Sequence, residues 1–176
     1  FILYHGHLLV SENVKAALYL IDVYKQTNYK LVIASNYKNS EVVKEILKHK
    51  NISFNSLNED KDLYNLFQKA HINVLPTFHN TGIKLKLLNT LRQGRFVIAN
   101  DYMVDKTGLE SLCEKANTKA EYLIKTAELF QKDFIINELS KIMNVEKKFV
   151  KSKLHFSEHH ISHASSAFFP STFEDA

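Results

Sequence analysis

Short apolar runs alternate with segments of helical periodicity along the first 130 residues of the chain. Five runs rich in branched and aromatic residues are predicted as strands: residues 1–5, 30–34, 51–54, 72–75 and 96–99. Segments with apolar residues three and four positions apart are predicted as helices, at residues 13–24, after Ser40, and at residues 61–70 and 83–93. Because parallel neighbours need crossover connections, this order predicts an α/β fold with a doubly wound parallel sheet.

Polar residues and glycines mark where these helices begin and end. Ser40 is predicted to cap the second helix. The apolar face of that helix is predicted to consist of Val43, Ile46 and Leu47. Gly94 is predicted to end the fourth helix. Beyond the fifth strand, three further helices are predicted, at residues 108–115, 118–132 and 133–145.

Composition limits the classes to which the chain can belong. Apolar residues fill 45% of the 176 positions, enough for one core with an appendage. The net charge of +4 is spread along the chain, so nucleic acid is not a predicted partner. The single cysteine, Cys113, rules out an internal disulfide and favours a reducing, cytoplasmic location. No apolar run approaches the roughly 18 residues of a membrane span.

The turn at residues 76–82 is the first candidate binding site. It follows the fourth predicted strand and opens a helix, the place where α/β folds bind anions. Gly82 lets a ligand approach the backbone closely. Lys84 and Lys86 are two positions apart on the predicted helix and so cannot both face one ligand; Lys84 is favoured because it lies nearer the helix start. The alternative is two solvated lysines on an amphipathic helix.

Several segments together resemble a known family. FILYHG with Lys15 on the next helix, then KLVIAS, AHINVLPTF, TGIKLKLLNTLRQGRFVIAN and TGLESLCEKANT, resemble the carboxyl-terminal half of two-domain (GT-B) glycosyltransferases of the retaining family 4 group. The resemblance covers residues 1–132. It implies a Rossmann-like domain that binds a nucleotide diphosphate sugar without a metal cofactor. It also implies a hexosyltransferase that passes the sugar to an acceptor hydroxyl, with an amino-terminal acceptor domain missing from this sequence.

The resemblance also implies which residues touch the donor. They are Gly6, Lys15, His79, Thr81, Gly82, Lys84, Lys86 and Asn89. Thr81 and Asn89 stand where such enzymes typically carry two glutamates, associated with the donor sugar and the ribose hydroxyls. Asn89 can still exchange hydrogen bonds with a diol, because an amide both donates and accepts. His7 stands where an arginine is expected.

The end of the chain, residues 133–176, is predicted to be an appended tail with a different origin. His159 and His163 are four positions apart, so on a helix they would share a face and could ligate a transition metal; a solvated histidine cluster is the alternative. The string HHISHASSAFFPSTFEDA resembles the start of the catalytic region of antibiotic- and nodulation-type carbamoyltransferases. That resemblance implies that the two histidines bind a metal beside a nucleotide. It leaves open whether the join is a natural fusion or an artefact.

Three functions therefore compete at this point. The first is a glycosyltransferase fragment that binds the donor. The second is a fragment of a metal- and nucleotide-dependent carbamoyltransferase. The third is a non-catalytic nucleotide-binding module, because a doubly wound sheet alone does not fix function.

Overall fold

The computed structural model of the protein describes residues 1–79 and 84–153. Its strands, in chain order, are β1 (Ile2–His5), β2 (Leu31–Ser35), β3 (Ile52–Ser56), β4 (Ile72–Leu75), β5 (Phe96–Ala99) and β6 (Glu114–Lys115). Its α-helices are α1 (Ser11–Tyr24), α2 (Ser40–Ile46), α3 (Asp60–Lys69), α4 (Leu85–Gln93), α5 (Asp101–Val104), α6 (Lys119–Met143) and α7 (Lys147–Lys153), with a 3₁₀ turn at Glu110–Leu112.

All the described strands belong to one parallel sheet with the order β3-β2-β1-β4-β5-β6. This confirms the predicted α/β class and the Rossmann-like, doubly wound arrangement. The strand order reverses between β1 and β4, which pair through Ile2 with Ile72 and Leu3 with Asn73. A crevice opens at such a reversal, beyond the carboxyl ends of the two strands.

The central strands β1 and β4 are buried along their whole length. On β1, Ile2 and Tyr4 belong to the same cluster as Leu20 of α1, whereas Leu3 belongs to a second cluster with Phe67 of α3. Successive side chains of a strand point to opposite faces, so helices cover both sides of this strand. Burial on both faces explains why the runs that form these central strands are mostly apolar and do not alternate with polar residues.

The predicted cap of the second helix and part of its predicted apolar face were wrong. Asn39, not Ser40, caps α2: its Oδ1 accepts hydrogen bonds from the backbone amides of Glu41 at 3.0 Å and Val42 at 3.2 Å. Of the predicted face, Ile46 is buried, but the other buried residue is Val42, and Leu47 is 80% exposed.

The region after β5 also differs from its prediction. Residues 108–115 form the short 3₁₀ turn and the edge strand β6, which pairs with β5 through Ile98 and Glu114. The separate helices predicted for residues 118–132 and 133–145 are one continuous helix, α6. Asn144 ends that helix in the left-handed region, at φ 50°. The prediction that Gly94 ends α4 is confirmed.

The chain divides into two units, Phe1–Phe130 and Gln131–Ala176. The first contains the whole sheet. Within the described part of the second, Ser140 Oγ donates a hydrogen bond of 2.5 Å to the carbonyl of Val145, just after the end of α6. The predicted boundary between a sugar-nucleotide domain and a tail at residue 132 stays a prediction.

Candidate functional site

A cavity of about 630 Å³ lies at the carboxyl ends of β1, β2 and β3. Gly6, which follows β1, forms part of the cavity wall, and α4 contributes Lys86 and Asn89 to it. Helix α3 contributes the apolar residues Leu63 and Phe67. The structure therefore brings three of the predicted site residues together in one cavity at the carboxyl edge of the sheet.

Gly6 lies in a position where a side chain would not fit. A Cβ atom there would lie 2.9 Å from Tyr4 Oη, 3.1 Å from Asn13 Cγ and 3.2 Å from Lys86 Nζ. The absence of a side chain lets the Lys86 ammonium approach the backbone after β1. Gly6 therefore serves close packing around a cation, a role distinct from conformational freedom.

Lys86 is a half-buried cation without a carboxylate partner among residues 1–79 and 84–153. Its Nζ donates to Asn13 Oδ1 at 2.9 Å and lies 4.8 Å from the centre of the Tyr4 ring. Desolvation lowers the pKa of Lys86 to about 8, despite the opposing attraction of Glu12. An anion entering the cavity would stabilise the charged form of this side chain.

Lys84 has a different environment. It stands at the N-cap position of α4, and its Nζ donates to the backbone carbonyls of His79 at 3.0 Å and Tyr102 at 3.3 Å. The two lysines thus contact different neighbours, as their spacing on the helix predicts. Lys86, and not the favoured Lys84, lines the cavity.

Glu12 of α1 holds the start of the turn that follows β4. Its Oε1 accepts hydrogen bonds from the Phe78 amide at 2.6 Å and from Thr77 Oγ1 at 3.1 Å. Its Oε2 lies 2.9 Å from His79 Nε2. Desolvation raises the pKa of Glu12, but the hydrogen bonds from Phe78 and Thr77, with the nearby charges of His79 and Lys15, outweigh it and leave the pKa lowered.

Asn100 holds the same turn from the other side. Its Oδ1 accepts from the Thr77 amide at 3.1 Å, and its Nδ2 donates to the Thr77 carbonyl at 2.6 Å. Sequence reasoning missed both Glu12 and Asn100. Their contacts join residues 65 and 23 positions apart, and no local motif signals such pairs.

Lys15 and His79 lie near this turn and do not line the cavity. Lys15 Nζ sits 4.4 Å from the centre of the Phe78 ring, and the His79 side chain is 70% exposed beside Glu12. His5, at the end of β1, does line the cavity, with its ring edge-on to Phe67 at 5.1 Å. Burial lowers the pKa of His5 to about 3, so this wall of the cavity is uncharged at neutral pH.

Four predicted site residues lie outside the described residues. They are Thr81 and Gly82, which precede α4 in the sequence, and His159 and His163, near the end of the chain. Their assignments to a donor and to a metal stay predictions. Within residues 1–79 and 84–153, no group of three or more histidine, cysteine or acidic side chains is placed to hold a metal ion.

A parallel sheet with a cavity and a desolvated lysine at its carboxyl edge defines an α/β domain with a site suited to an anionic ligand. Comparison with protein families narrows this class. The model of the family described as glycosyl transferases group 1 matches residues 1–132. The chain therefore belongs to the group 1 glycosyl transferases, and the resemblance drawn from its sequence motifs is confirmed.

No curated protein matches the chain significantly. The family match does not extend to the segment that resembles a carbamoyltransferase. Among the residues with described structure, no helix has both the length and the apolar character needed to cross a membrane.

Proposed function

We propose that residues 1–132 bind a nucleotide diphosphate sugar and serve as the donor half of a hexosyltransferase. The family supports glycosyl transfer in general. The observation that carries the choice of ligand is Lys86, a cation with a lowered pKa and an amide neighbour that faces the cavity. A diphosphate is the part of such a donor that would pair with it.

The walls of the cavity suggest how the donor would lie. The diphosphate would occupy the end beside Gly6 and Lys86. Asn89, one turn further along α4, would exchange hydrogen bonds with the ribose hydroxyls. The base would then reach the apolar side near Leu63 and Phe67. A single cavity of about 630 Å³ is large enough for a ligand of this size.

The chemical contribution of this half would be electrostatic. When the bond between the sugar and the diphosphate breaks, negative charge accumulates on the leaving diphosphate, and a fixed cation beside it lowers the barrier. Lys86 would supply that charge, and no metal cofactor is part of the proposal. The acceptor and any general base would come from outside residues 1–132.

Calorimetric titration of the full chain with UDP, GDP, UDP-glucose and GDP-mannose tests the proposal. We expect saturable binding of at least one donor, and a loss of affinity of about tenfold or more in Lys86→Met, equivalent to about 1.4 kcal/mol. Lys44→Met is the matched control, because Lys44 is an exposed lysine of α2 remote from the cavity lining. Lys84→Met shows whether the neighbouring lysine matters as well.

The outcomes separate the competing functions. Absence of binding for every donor would refute the proposal. Equal affinity for a nucleotide and for its sugar conjugate, with every sugar tested, would indicate a non-catalytic nucleotide-binding module instead. Binding that Lys86→Met leaves unchanged would remove Lys86 from the site.

A further inference from the structure

We propose that the first turn of α1 positions the anion site, with Glu12 fixing the β4–α4 turn and Asn13 holding the Lys86 ammonium without neutralising it. These are positioning residues, since neither is required to touch the ligand. The identity of the anion rests on the proposed function. The contacts from which the roles of Glu12 and Asn13 are inferred do not depend on the proposed function.

Glu12 connects α1 to three consecutive residues of the turn. Its carboxylate accepts hydrogen bonds from the Thr77 hydroxyl at 3.1 Å and the Phe78 amide at 2.6 Å. The other carboxylate oxygen lies 2.9 Å from His79 Nε2. Hydrogen bonds to an ionised acceptor are stronger than neutral ones, so the start of the turn has a fixed place relative to α1. Lys84, the N-cap residue of α4, donates a hydrogen bond of 3.0 Å to the carbonyl of His79, the last of these three residues.

Asn13 is held on several sides. Its Nδ2 donates to the His7 carbonyl at 3.1 Å, and its own carbonyl accepts from Tyr4 Oη at 3.0 Å. These bonds orient the amide so that Oδ1 faces Lys86 Nζ at 2.9 Å. Glu12 and Asn13, adjacent in the first turn of α1, therefore form hydrogen bonds to the loops that follow β4 and β1. The strand order reverses between these two strands.

The side-chain amide of Asn13 holds the Lys86 ammonium without neutralising its charge. A carboxylate of the same shape would hold the ammonium equally well, but it would form an ion pair and repel an incoming diphosphate. An amide fixes the direction of the cation and leaves its charge available to the ligand. Aspartate at position 13 adds a charge but also loses the bond from Nδ2 to the His7 carbonyl, so its comparison with alanine, which loses that bond alone, separates the electrostatic role from a structural one.

The test uses the full chain and inorganic pyrophosphate, a probe that depends on neither base nor sugar. In Asn13→Asp we expect pyrophosphate affinity to fall about tenfold, whereas Asn13→Ala, which loses the bond to the His7 carbonyl without adding a charge, is expected to lose less affinity. The Lys86 side chain, followed without ligand by ¹³C NMR of its ε-carbon, is expected to titrate at a higher pH than in the native protein. Unchanged titration and unchanged affinity in Asn13→Asp would overturn the role of Asn13.

Glu12→Ala tests the other half of the inference. We expect the amide resonance of Phe78 to shift and pyrophosphate affinity to fall several-fold, with partial recovery in Glu12→Gln, whose amide oxygen can still accept from that amide. Glu41→Ala is the control, because Glu41 is an exposed acid in the first turn of α2. An unshifted Phe78 resonance in Glu12→Ala would overturn the role of Glu12.

These results remain distinct from the fate of the proposed function. If no nucleotide sugar binds but Asn13→Asp changes both pyrophosphate affinity and the Lys86 titration, the proposed donor fails and the positioning role stands. If the native chain binds no pyrophosphate, the titration of Lys86 without ligand still tests the role of Asn13. The Phe78 resonance still tests the role of Glu12.

Discussion

Lys86 combines a positive charge, partial burial and a neutral hydrogen-bond partner. The cost of desolvation brings its pKa to about 8, close enough to neutrality that the side chain loses its proton in mildly alkaline solution. The charge is retained below that pH because Asn13 and the ring of Tyr4 stabilise it and Glu12 attracts it. At the scale of the residue, the site therefore has a built-in dependence on pH.

Donor binding is expected to weaken as the pH rises above about 8. A bound diphosphate favours protonated Lys86, so above that pH binding must take up a proton, and the affinity approaches a tenfold fall per pH unit. Lys86→Arg is expected to remove this fall, since arginine stays charged throughout the range. Calorimetry of UDP binding between pH 7 and pH 10 measures it.

Lys84→Arg is the control for this experiment and is expected to retain the native pH profile. A native affinity that stays constant up to pH 10 would contradict the assignment of Lys86 as the ligand-facing cation.

At the scale of the element, the start of a helix depends on which of several possible capping hydrogen bonds forms. Asn39 and Ser40 are adjacent, and both residue types cap helices. The structure chooses Asn39, whose backbone is extended and whose Oδ1 receives two amides of the first turn. Ser40 consequently becomes the first residue inside the helix.

Replacement of Asn39 by alanine is expected to lower the free energy of unfolding by about 1 kcal/mol, because two amides of α2 lose their acceptor. Ser40→Ala is expected to change it by no more than about 0.5 kcal/mol. Urea denaturation followed by circular dichroism measures both. A larger loss for Ser40→Ala than for Asn39→Ala would show that the serine is the cap in solution.

Other elements show which strands the pattern of apolar residues predicts correctly and which it misses. The strands β4 and β5 were predicted with their observed bounds, because short runs rich in branched apolar residues between turn or helix-period segments are typical of strands in a parallel sheet. The strand β6 was missed and predicted as helix. It has two residues, Glu114 and Lys115, neither of them apolar, and pairing with β5 alone makes it a strand.

In the first unit as a whole, α6 joins the core through residues distant in the chain. Tyr24 of α1 and Thr126 of α6 are both fully buried and share a hydrogen bond of 2.8 Å between their hydroxyl groups. Burial raises the pKa of Tyr24. A buried hydroxyl that loses its partner costs more free energy than the bond itself contributes, so this pair makes the attachment of α6 specific.

Thr126→Val is expected to lower the free energy of unfolding by about 1 to 3 kcal/mol, because it leaves the Tyr24 hydroxyl buried without a partner. The double variant Tyr24→Phe with Thr126→Val is expected to recover part of that loss, since no unpaired hydroxyl remains at either position. Chemical denaturation of the single and double variants measures the coupling. Strictly additive losses would contradict a specific bond between the two groups.

The sequence by itself determined the class of fold, the parallel order of strands and helices, and the family. Each of these depends on periodicities and motifs that are local in the chain. It also supplied eight candidate binding residues, with Lys84 favoured over Lys86, and of these Gly6, Lys86 and Asn89 line the cavity.

Only the tertiary structure decided which of these residues meet. It selected Lys86 over Lys84 for the cavity and revealed Glu12 and Asn13 as the residues that hold the turn and the cation. Asn13 and Lys86 are 73 positions apart, and desolvation of the lysine exists only after the sheet and its helices have packed. Local sequence patterns specify which residues are available, whereas distance and burial, which set pKa and pairing, arise from the packed chain.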